Sequence, residues 1–164
     1  MATWTPSGNY LLAQNIDETS TTQKETLGTR VQAKHSTYGV GEFVYLAGAA
    51  STVVGSVVTF NQDDHSTTLA AANAVGPVAT AMSANVASQY GWYQVFGKGV
   101  AKVLASFADN ADCYLTATAG SIDDADVAGD YIRGMKGASA IDTPSTGLAE
   151  VEMWYPQVAD GKDN

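Results

Sequence analysis

At 164 residues and 17.0 kDa the chain has the size of one domain, or of one domain with an arm, and is too short for two enzyme domains. Only 15% of its residues are charged, against about 25% in a typical globular domain, which excludes a charged coiled coil and a highly charged disordered tail. Eight basic residues against 17 acidic ones give a net charge of −9 and a pI near 4.3; such a surface repels phosphate, so nucleic acid is not an expected partner.

The N-terminal residues lack a basic segment followed by an apolar core, so no secretory signal is expected and synthesis in a cytosol is the default. Residues 1–29 are polar and show no period of 2 or 3.6, which predicts an extended N-terminal arm. Its apolar residues Trp4, Tyr10, Leu11, Leu12, Ile16 and Leu27 are too widely spaced for a core of their own. They anchor the arm either on a partner or on its own domain, and the sequence leaves both open. On the first alternative, deleting residues 1–28 weakens association with the partner and leaves the domain folded.

From Arg30 onward, short runs of β-branched and aromatic residues alternate with Gly, Asn, Asp and Ser. Strands are expected over 30–34, 42–47, 53–60, 76–82, 91–96, 100–104, 113–117, 130–135, 138–142 and 148–155. Their close, even spacing predicts an all-β domain over 30–158, a small β-barrel or β-sandwich, with a flexible acidic tail at 159–164. Residues 68–73, rich in Ala, are the best helix candidate, and 122–127 a second, with acidic residues suited to a helix N-terminus. Gly97-Lys98-Gly99 between two strand-like runs reads as a tight hairpin turn. The longest charge-free stretch, 66–97, is broken by Asn73, Pro77, Asn85 and Gln89, so no membrane-spanning segment is expected.

Residues suited to chemistry are few. His35 and His65 both lie in polar contexts, and Asp63-Asp64-His65 matches no zinc spacing. Asp123, Asp124, Asp126 and Asp130 resemble part of a calcium loop but lack its glycine and its final glutamate. Cys113 is the one cysteine, so no internal disulfide forms, and its strand-like setting suits a small buried hydrophobe. No G-x-S-x-G elbow and no phosphate-binding glycine loop occurs. Glu150 and Glu152 share one face of a strand, with Asp142 upstream; they are the only carboxylates offered for a glycosidase pair, and a solvated polar stripe explains them as well. No catalytic, cofactor or metal site is therefore assigned. Aromatic residues gather at Tyr90, Trp92, Tyr93 and Phe96, and again at Trp154 and Tyr155. On alternating strand positions some must face inward and others outward: Trp92 and Trp154 each read first as core residues, and those left outside serve as interface anchors.

The phrases Gly91-Trp92-Tyr93-Gln94-Val95, Gly99-Val100-Ala101, Tyr114-Leu115-Thr116-Ala117-Thr118-Ala119-Gly120 and Ala140-Ile141-Asp142-Thr143-Pro144, preceded by Gly41-Glu42-Phe43-Val44-Tyr45, occur in this order. In phrases and order the chain resembles the capsid decoration, or cement, proteins of tailed bacteriophages, over roughly 38–158. The resemblance implies a structural virion protein with no enzymatic role, made in the host cytoplasm. It implies a small β-domain, commonly a homotrimer, on the outer capsid surface, bracing neighbouring subunits of the major capsid protein. Many such proteins reach over those subunits with an extended terminal segment, a role open to residues 1–29. The candidate capsid-contact or oligomer-interface residues are Trp4, Tyr10, Leu11, Leu12, Trp92, Tyr93 and Trp154. A tail, fibre or adaptor protein is the first alternative, and a small β-fold enzyme acting on glycans the second.

Overall fold

A computed structural model describes residues 3–9 and 11–160. Among them the fold is all-β, as expected. The strands are β1 (Thr5–Pro6), β2 (Thr19–Ser20), β3 (Arg30–His35), β4 (Gly39–Ala47), β5 (Val57–Phe60), β6 (Thr67–Leu69), β7 (Val75–Ala81), β8 (Tyr90–Lys102), β9 (Asp112–Leu115), β10 (Ile122–Asp123), β11 (Tyr131–Gly137) and β12 (Leu148–Ala159). They pair antiparallel in the order β1-β3-β4-β8-β7-β12-β11-β9-β10, in one sheet that does not close on itself. β2 adds to β8, and β5 carries β6 on one edge and β7 on the other.

The long β8 organises the molecule. Its first half pairs with β4 (Tyr45 opposite Trp92) and its second half with β12 (Glu150 opposite Val100). Side chains alternate across a strand, so β4 and β8 feed two cores. Val44, Leu46, Tyr93 and Val95 point to one side, against Val58 and Phe60 of β5 and Ala79 and Ala81 of β7. Phe43, Tyr45 and Trp92 point to the other, against Val31 and Ala33 of β3. A third and larger core lies beneath β9–β12 and contains Val103, Phe107, Leu115, Ile132, Val151 and Met153.

Residues of the N-terminal segment cover the Phe43–Tyr45–Trp92 side. Trp4 and Ile16 are buried in that cluster, with Leu12 and Leu27 packed on it. Gln14 is buried and pins the segment: its Oε1 accepts the Tyr45 hydroxyl at 2.6 Å, its carbonyl accepts Trp92 Nε1–H at 2.9 Å, and its Nε2 donates to Tyr90 O. The expectation that residues 1–28 can be removed without loss of the fold therefore changes, because their removal uncovers three large aromatic side chains.

Four local expectations are corrected. Residues 68–73 form no helix: Thr67–Leu69 is β6 against β5, and Ala70 N–H and Ala72 N–H donate to Val57 O and Thr116 O, each at 2.9 Å. A two-turn helix has too little length to stand against such long-range pairing, despite the propensity of alanine. Residues 122–127 likewise begin as β10, with Ile122 fully buried opposite Leu115. Gly97-Lys98-Gly99 is no hairpin turn, since β8 runs through it and changes partner there from β4 to β12. Residues 138–142 are a turn in which Asp142 has φ 70° and its Oδ1 accepts Gly147 N–H at 2.8 Å; Asp tolerates this left-handed conformation and closes such turns with its own side chain. At the C-terminus, Ala159 still pairs with Val75 in β12 and Asp160 is a turn, while 161–164 of the expected tail lie outside the described residues.

Candidate functional site

The exposed aromatic side chains concentrate where β8 and β12 pair. Phe96 and Trp154 are directly opposite one another, so their side chains leave the sheet on the same face. Alternation along β12 puts Ala149, Val151 and Met153 inside, then Pro156 and Val158; between them Trp154 and Tyr155 both point out. The phase flips because Tyr155 adopts φ 51° and the register slips, with Arg133 opposite Gln157 but Met135 opposite Met153. This is a β-bulge, which bends the strand and re-aims its side chains. On the partner strand Gly134 (φ 82°) accommodates it: a Cβ there would lie 2.7 Å from Trp154 O.

An aromatic residue in the left-handed region costs on the order of 1–3 kcal/mol and persists only where its surroundings hold it. Here the Tyr155 hydroxyl donates to Glu42 Oε2 at 2.7 Å, its ring lies 5.4 Å from that of Phe96, and Pro156 behind it is buried. The hydrogen bond to Glu42, more than the burial of the phenol, raises the Tyr155 pKa above that of a free tyrosine. These contacts hold Tyr155 against Phe96, and the three rings are open to solvent: Phe96 is 40%, Trp154 51% and Tyr155 54% exposed.

Ion pairs flank it. Glu42 pairs with Arg30 at 3.4 Å, Glu150 pairs with Lys98 at 2.7 Å, and Glu152 sits between Lys98 and Lys136 in register. Two carboxylates are thus paired on a face of a chain whose net charge is −9, while Lys136 has both Glu152 and Asp112 opposite it. The bond to Glu150 raises the Lys98 pKa, and burial followed by the charge of Glu150 raises that of Tyr38, whose ring lies 5.8 Å from Lys98 Nζ. A face of apolar aromatics flanked by ion pairs is suited to protein contact, because charges already paired cost less to cover than unpaired ones.

The residues singled out in the sequence divide. Trp154 stands at the centre of this face, with Phe96 and Tyr155, which the sequence placed in the aromatic clusters but not among the named contact candidates. Trp92 and Tyr93 do not belong to it: both are fully buried, Trp92 under the N-terminal segment and Tyr93 in the β4–β8 core, where its hydroxyl accepts Asn85 Nδ2–H at 3.0 Å. Trp4 is 9% exposed and packs edge-on to Phe43 at 4.8 Å, which leaves it little surface for a partner. Leu12 is half-buried on the same cluster, whereas Leu11 is 97% exposed. Tyr10 lies outside the described residues.

The chemically suggestive residues are occupied with local structure. Asp64 Oδ1 accepts the hydroxyl and N–H of Ser66, which lowers its pKa. Asp124 accepts Ala108 N–H and Asp130 accepts Asn73 N–H. Among the described residues no group of three or more His, Cys, Asp or Glu side chains is placed to hold a metal ion. Cys113 is buried, and desolvation, helped by Asp112 and Asp124, pushes its thiol up to about 12, so the thiolate that nucleophilic chemistry requires does not form at neutral pH. Among known proteins, no family model and no curated protein matches the chain.

Proposed function

We propose that this chain is a structural protein of a phage virion that decorates the outer surface of the capsid and stabilises its lattice by bridging neighbouring major capsid subunits. The observation that carries the reading is the exposed Phe96–Trp154–Tyr155 face, flanked by two ion pairs in an otherwise acidic molecule. Large aromatics dominate contact energies at protein interfaces, and here the bulge turns Trp154 and Tyr155 outward together. The sequence likeness to capsid decoration proteins supplies the kind of partner. A protein that binds only the assembled lattice stabilises it by mass action, and symmetric, homotrimeric copies multiply modest single contacts. An acidic molecule is also better suited to the outside of a capsid than to its DNA-lined interior.

The test is re-addition of the purified chain to heads assembled without it, with occupancy read by co-sedimentation. The wild type is expected to saturate the heads. Trp154→Ala should weaken binding by about tenfold or more, as at an interface hot spot, with an unchanged melting temperature because the side chain is outside the core. Failure of the wild type to bind heads would overturn the assignment.

A further inference from the structure

We propose that the trough beside this face, running between β5, β7 and β12, is a binding site for a neutral carbohydrate. Two hollows of about 480 Å³ and 140 Å³ lie there and share Phe60, Gln62 and Pro77, so they form one continuous depression. The larger extends past Asn61 and Thr68; the smaller ends against Tyr155 and Gln157.

The lining is chemically selective. It contains no carboxylate, in a chain that has 17 acidic residues, and its one charged group, Arg30, is neutralised by Glu42 at 3.4 Å. An anion therefore meets no uncompensated cation, and a cation meets no carboxylate. A wholly apolar ligand would strip water from the amides and return no hydrogen bond. What the trough offers is amides and hydroxyls beside flat apolar surfaces. The exposed side-chain amides of Gln62 and Gln157 make no hydrogen bond within the described chain, so their donors and acceptors are free for a ligand. Asn61 is held by accepting Asp63 N–H at 2.8 Å through Oδ1.

A sugar matches this set, because each hydroxyl both donates and accepts while the C–H face of the ring is flat and apolar. Pro77 and the Tyr155 ring provide the surfaces for such a face. The Tyr155 ring is held in place by the hydroxyl bond to Glu42 and the contact with Phe96, so little side-chain entropy is lost when a ligand stacks on it. The site shares Tyr155 with the aromatic face, and binding of a sugar to the free chain does not depend on whether that face meets a capsid.

The experiment is saturation-transfer difference NMR on the full chain with a panel of neutral tetrasaccharides built from glucose, galactose, mannose or N-acetylglucosamine. At least one is expected to show transfer at millimolar concentration. Gln62→Ala and Gln157→Ala should each weaken it by roughly five- to tenfold, the worth of one hydrogen bond. Tyr131→Ala, which removes an exposed tyrosine outside the trough, should leave it unchanged. The melting temperatures of all three variants are expected to match the wild type, because these side chains are exposed. The proposal is overturned if no neutral sugar gives transfer, if only a sulfated or uronic-acid oligosaccharide does, or if transfer persists undiminished in the Gln62→Ala/Gln157→Ala double variant.

Discussion

Single side chains in this protein are placed by backbone exceptions. Tyr155 precedes a proline, a position biased toward extended backbone, yet it adopts φ 51° and so turns two consecutive aromatics to the same side. Cys113 is the opposite case, a regular strand residue whose surroundings suppress its chemistry. Its native pKa of about 12 lies above the roughly 8.5 of an unfolded thiol, so its stabilising contribution is intact below pH 8 and is lost as pH rises toward 12. The wild type should therefore lose stability relative to Cys113→Ala by about 1.4 kcal/mol per pH unit above pH 9, measured by urea unfolding of both proteins. Parallel pH dependences would show that the thiol is not shielded. Of the site, Trp154 was named in the sequence, but its place outside the core was not legible, since the alternation of residues 151–155 reads equally well with Trp154 inside. The exit of Tyr155 on the same face was not legible either, because the phase flip depends on Gly134 across the sheet, a register known only once the strands are paired. Trp92 was ambiguous for a related reason: strand periodicity gives two faces and does not say that a distant N-terminal segment covers one of them.

At the scale of elements, β8 carries the architecture and its glycines are what let it do so. Gly97 has φ 94°, and a Cβ there would lie 2.5 Å from Val40 O; one at Gly99 would run into the Gln94 amide. Gln94 is buried and its Nε2 donates to the carbonyls of Phe96 and Lys98, both at 3.0 Å, which secures the point where the strand changes partner. Gly97→Ala should cost about 2 kcal/mol or more, from the left-handed backbone together with the clash, and should lower the midpoint of urea unfolding accordingly. A neutral effect would mean that the bend is not constrained. Most strands were legible because β-branched and aromatic runs end at turn residues. At 68–73, 97–99 and 122–127 partners far along the chain override the local signal, whereas at 138–142 the side chain of Asp142 closes a local turn that strand-like composition hid.

At the scale of the whole molecule, the N-terminal segment completes the fold. Burying Trp4 and Ile16 contributes about 1.5–3 kcal/mol each, and taking the segment away also exposes Phe43, Tyr45 and Trp92. Against a typical total of about 5–15 kcal/mol, deletion of residues 1–28 should abolish cooperative thermal unfolding or lower the melting temperature by tens of degrees. A truncated chain that melts like the intact one would contradict this. The all-β class was legible from composition and strand spacing, whereas the two-sided burial of β4 and β8 was not, since an uninterrupted apolar run does not say what lies on each side. The proposed role requires repeated attachment of this chain to a capsid lattice. Quantitative mass spectrometry of purified particles, giving copies of this chain per major capsid protein, tests it most directly. Lattice attachment gives a ratio near one to one, or a simple lattice fraction; a handful of copies per particle, or none, would overturn the proposed role.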